Sequence, residues 1–170
     1  QYWNVSQTVN KYLDIAVQLL DMEMYVDELY STSDRLLDLI YDRPRLKLRL
    51  YRFQLDVLTA IEVREDHDLG LTEDLRKDIA LLEKSIALAD EGRLDEIPQT
   101  GHLRKDPVEW TAKWAEVIDE AERIACSRLK DQPRGMGFCF AYWAELRDAL
   151  MRLGVEWRDP HMMNPRVMFD

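Results

Sequence analysis

The sequence predicts an all-α protein: a single-domain antiparallel helical bundle of about five to six helices, carrying an extended C-terminal arm. Three observations predict it. Apolar residues recur at spacings of three and four along most of the chain. The one stretch with strand-like alternation, residues 45–50, has no second strand to pair with. Gly and Pro number only six each in 170 residues, and several of them punctuate helix ends. Residues 1–154 read as the bundle, and 155–170 as an arm packed on the bundle or on a partner.

The first helix is expected over about 6–30, with Tyr12, Ile15, Leu19, Met22, Val26 and Leu29 along its inward face and Ser6 as cap. Ser33 is placed as the cap of a short helix from Asp34 to Tyr41, separate from the first or continuous with it. Pro44 suits the first turn of a third helix, about 44–65, whose Leu46, Leu50, Phe53, Val57, Leu58 and Ile61 keep a helical period. Thr72 opens the next helix, with Glu73 and Asp74 at the positive end of its dipole and Gly92 ending it. A loop over 93–106 leads to Asp106-Pro107, a helix start, and a helix is expected from there to about Lys130. The last helix spans about 137–153 and stops at Gly154. Its opening, Met136 to Ala144, is apolar on every side, which places it centrally in the core or in an interface.

Charge is distributed unevenly. The formal net charge is −10. Residues 43–53 hold five bases and no acid, between two strongly acidic stretches. A surface this acidic is repelled by phosphate backbones, so nucleic acid is a poor partner for the whole chain. The basic island, Arg43, Arg45, Lys47, Arg49 and Arg52, is the exception. It reads as an anion or RNA-phosphate grip, or as neutralisation of acidic helices beside it. No apolar run is long enough to cross a membrane, and the opening residues lack a signal-peptide pattern. Because the chain begins at Gln1, a removed leader stays open. Cys126 and Cys139 read as buried reduced thiols in a cytoplasmic setting.

The chain offers no catalytic signature. A di-iron site needs Glu three residues before His, but Arg64, Gln99 and Arg158 precede His67, His102 and His161 at that spacing. Counted as a calcium loop from Asp66, position 6 is Leu71 and position 12 is Lys77, so the turning glycine and the bidentate Glu are both missing. No phosphate-cradling glycine loop, zinc-binding HExxH or nucleophile elbow is present. No metal and no cofactor is expected.

The expected function is therefore a non-enzymatic helical protein-interaction or regulatory domain, acting through a protein partner or as a homo-oligomer. The interaction candidates are Phe138, Phe140 and Trp143 on the last helix, with Trp157, His161, Met162, Met163 and Phe169 on the arm. Two alternatives stay open. One is an enzyme or small-ligand site assembled between helices from Trp110, Trp114, His161 and nearby acids. The other is a nucleic-acid-linked role, through the basic island or through acidic mimicry of DNA.

Overall fold

A computed structural model describes residues 4–169. The described residues form seven α-helices and no strand, in an all-α helical arrangement. The helices are α1 (Val5–Asp21), α2 (Val26–Leu37), α3 (Pro44–Glu65), α4 (Thr72–Asp90), α5 (Ala112–Arg128), α6 (Phe138–Arg152) and α7 (Pro160–Met163). The sequence reading treats residues 1–154 as one domain; the contacts of the chain divide into two compact units, Val5–Ala87 and a second from Leu88 onward.

In the first unit, Val5, Val9, Leu13 and Ala16 of α1 pack with Val26 and Leu29 of α2 and with Leu50, Phe53 and Val57 of α3. Two expectations are corrected here. The first helix ends at Asp21, not near residue 30. Glu23 adopts a left-handed backbone (φ 55°), and the amides of Glu23 and Met24 close back on the carbonyls of Leu20 and Leu19. That is a helix-terminating motif built without its usual glycine. The face of α1 that is buried is Val5, Val9, Leu13 and Ala16, so Ile15 and Met22 are about 60% exposed rather than inward. Ser33 does not start a helix either. It lies buried inside α2, and its hydroxyl donates to the Tyr30 carbonyl.

Tyr12 ties α1 to its neighbours. Its hydroxyl donates to the Leu29 carbonyl at 2.6 Å, and its ring meets Phe53 edge-on. Burial pushes its phenol from 10.0 up to about 12, against a smaller lowering from Ser33. The neutral phenol is therefore the form the fold prefers. Its contribution is complete below pH 10 and is lost as pH rises towards 12. Tyr12→Phe should flatten the loss of stability across that window, and should remove a phenol that titrates at about 12 from an absorbance titration. An unchanged alkaline profile would contradict this.

The second unit is organised by α5 and α6. Trp114, Val117, Ile118, Ala121 and Ala125 of α5 pack on Leu146, Ala149 and Leu150 of α6. Here the helix expected from Pro107 to Lys130 is split. Pro107–Trp110 forms a 3-10 turn capped by the Asp106 carboxylate, which accepts from the Val108 amide. Thr111 then leaves helical geometry, and its hydroxyl accepts from the Trp114 amide to start α5 afresh. The opening of α6 is not central in a core: Phe138, Cys139 and residues 141–143 are half-buried, while Met136 and Phe140 are exposed. Gly154, with φ 91°, ends α6 as expected, and the Val155 amide bonds back to the Leu150 carbonyl.

The arm is part of this unit. Trp157 is buried against Trp114, with ring centroids 5.7 Å apart, and its indole N–H donates to Glu109 at 2.9 Å. Arg158 reaches Asp106 through its amide and its guanidinium. Asn164 accepts from the Arg104 amide and donates to the Arg104 carbonyl, both at 2.8 Å. The arm also contains a helix that its lack of period hides: Asp159 caps α7 by accepting from the Met162 amide, and its carboxylate binds Arg147.

Candidate functional site

Phe140, Trp143 and Arg147 are spaced by three and four on α6, so they share one face. The arm comes back over that face. His161 on α7 meets Phe140 with centroids 5.4 Å apart, and Phe169 meets Trp143 at 5.1 Å. Phe140 and Trp143 are 5.6 Å apart, and His161 and Phe169 are 6.4 Å apart. The four rings thus close a cycle, every contact edge-to-face, the geometry favoured by ring quadrupoles. Phe140 remains 42% exposed and Met168 95% exposed. Met162, also exposed, accepts from the Arg147 guanidinium through its sulfur at 3.2 Å.

Four of the eight interaction candidates therefore converge: Phe140, Trp143, His161 and Phe169. Met162 sits at their edge through Arg147. Phe138 faces the Arg134 guanidinium, 5.8 Å from its ring centre. Met163 is half-buried at the end of α7. Trp157 belongs to the core rather than the surface. Arg147 was not among the candidates; its i, i+4 spacing from Trp143 is the signal in the sequence that could have drawn attention to it.

The basic island is held within the first unit. Arg43 is buried, donating to Ser6 and pairing with Asp42. Arg49 donates to Asn10, Arg52 pairs with Glu83, and Lys47 lies over the Tyr51 ring. Arg45 is half-buried and also engaged. The side chains point to several separate acceptors, an arrangement that braces helices.

Residues considered for chemistry scatter. Trp110 packs by Leu88, Ala89 and Ile97, Trp114 is buried against Trp157, and His161 joins the aromatic surface. The two cysteines are free and half-buried, not fully buried. Burial, aided by the charge of Glu122, pushes the Cys126 thiol up, which disfavours the reactive thiolate. In the turn after α3, Glu62 accepts from the Leu69 amide and Asp68 from the Gly70 amide. These carboxylates, with His67 and Arg76, line a shallow open cleft. Among the described residues no group of three His, Cys, Asp or Glu is placed to hold a metal. Among them, too, no helix is long and apolar enough to cross a membrane.

Comparison with family models, with curated proteins and with solved structures finds no match to this chain.

Proposed function

We propose that the chain is a non-enzymatic helical protein-interaction domain of regulatory type, docking a protein partner through the Phe140–Trp143–His161–Phe169 surface. The observation that carries this reading is the closed cycle of four aromatic rings, left partly open to solvent and bordered by exposed methionines. Aromatic, Met and Arg side chains are the types enriched where proteins dock, and aromatic anchors carry most of the binding energy there. The net charge of −10 argues against nucleic acid as the partner. Free thiols at Cys126 and Cys139 fit a reducing, cytoplasmic setting.

Affinity capture from a native cell extract, at low and moderate salt, tests the reading. Phe140→Ser removes an exposed ring from the cycle; Val63→Ser changes an exposed apolar residue of the first unit. The expected result is a stoichiometric protein partner retained by the wild type and by Val63→Ser, and reduced about tenfold or more by Phe140→Ser, as loss of an aromatic anchor requires. Equal capture by all three proteins, or capture of nothing by the wild type, overturns it.

A further inference from the structure

The arm is held unevenly along its length. Asn164 is buried and fixed to Arg104 by bonds in both directions, 2.8 Å each, and its amide closes on the carbonyls of α7. Beyond it the fastening thins. Residues 165–168 are all exposed, Met168 at 95%. Among the described residues of this segment, the one backbone hydrogen bond runs from the Val167 amide to the Asn164 carbonyl, at 3.0 Å. Phe169 alone of residues 165–169 turns inward: it is half-buried, and its ring meets Trp143 at 5.1 Å and His161 at 6.4 Å. The segment is therefore a tether, tied firmly at Asn164 and closed at its far end by ring contacts. Few buried contacts and exposed backbone are the marks of a segment that opens locally while the rest of the fold stays intact.

Resting on the docking reading above, we infer that residues 165–169 are a self-ligand that holds the aromatic surface closed. Phe169 fills the place that a partner's ring takes. The partner is a short protein segment carrying an aromatic side chain, and it docks by displacing Phe169 from Trp143 and His161 while Asn164 and α7 keep their places. Closure weakens docking by the fraction of molecules in which the ring is seated, because only the open form receives the partner. A tether closed by edge-to-face contacts alone lowers the affinity without abolishing it, since each such pair contributes little.

The test adds the segment back in trans. The probe is the hexapeptide Asn-Pro-Arg-Val-Met-Phe, the sequence of residues 164–169, titrated into nitrogen-15-labelled protein. The readout is the Trp143 indole N–H signal, assigned by its loss in Trp143→Phe. Phe169→Ala, shown to remain folded by its circular dichroism, should be half-saturated at a peptide concentration about tenfold below that needed by the wild type, because the resident competitor is gone. A chain ending at Asn164 should behave as Phe169→Ala does, and a hexapeptide with Ala in place of Phe should move the signal in none of them. Capture of the partner from extract should rise about threefold or more in Phe169→Ala. Equal half-saturation of wild type and both variants, no shift in any of them, or unchanged capture by Phe169→Ala overturns the inference. If capture depends on Phe140 while the peptide does not tell Phe169→Ala from the wild type, docking stands and the self-ligand falls. If capture is indifferent to Phe140, the docking reading falls and takes displacement by a partner with it.

Discussion

Cutting the chain after Gly154 is expected to unfold the unit that begins at Leu88. The cut removes Val155 and Trp157, both buried in the core formed by α5 and α6. Losing a buried tryptophan alone costs about 4 kcal/mol. The cut also removes the Trp157 bond to Glu109, the Arg158 bonds to Asp106, the Asp159 pair with Arg147 and the Asn164 bonds to Arg104. At about 1 kcal/mol for each hydrogen bond, these add several kcal/mol more. The total approaches the stability of an ordinary domain, about 5–15 kcal/mol. Circular dichroism and limited proteolysis should show the α5 and α6 segments becoming cleavable, with helical signal lost. Trp157→Ala is the milder form, lowering stability by about 4 kcal/mol in denaturant unfolding. A truncated chain with an unchanged midpoint and protected α5 and α6 would contradict the placement of the arm.

Arg43→Met should be the most damaging charge change in the first unit. Arg43 is 4% exposed and joins the third helix to Ser6 on the first while pairing with Asp42. Breaking a buried pair by removing one member costs about 3 kcal/mol, because the remaining groups lose a partner they cannot replace with water. Arg52 pairs with Glu83 at the surface, and Arg52→Met should change stability by about 0.5 kcal/mol or less. Urea unfolding of the two variants separates these outcomes. Equal effects would mean that the basic island is a uniform exposed patch, and would return the anion-grip reading to consideration.

The parts of the fold set by local chemistry were legible. Pro44 opens α3, Gly92 follows α4, and Gly154 ends α6, because fixed φ at proline and free φ at glycine act within one turn. The misplaced boundaries lie where an unexpected residue does the same task. Glu23 closes α1 in a left-handed conformation that sequence assigns to Gly or Asn. Thr111 restarts a helix inside a run whose apolar period continues unbroken. Asp159-Pro160 repeats the capping signal of Asp106-Pro107, but on a helix of one turn, too short to show a period.

The candidate surface was legible in composition and not in geometry. An aromatic and methionine-rich arm stands out in any reading of the residues. That His161 and Phe169 return to Phe140 and Trp143 depends on anchors far apart in sequence, Arg158 to Asp106 across 52 residues and Asn164 to Arg104 across 60. The same anchors draw Trp157 into the core, where composition alone could not separate it from its neighbours on the arm.

The central claim is that partners dock on the aromatic surface. Amide hydrogen exchange of the full chain, with and without the captured partner, tests it most directly. Slowed exchange concentrated in residues 138–143 and 161–164, with residues 43–52 unchanged, is the predicted result. Slowing concentrated at 43–52, with the α6 and arm segments unchanged, would contradict it.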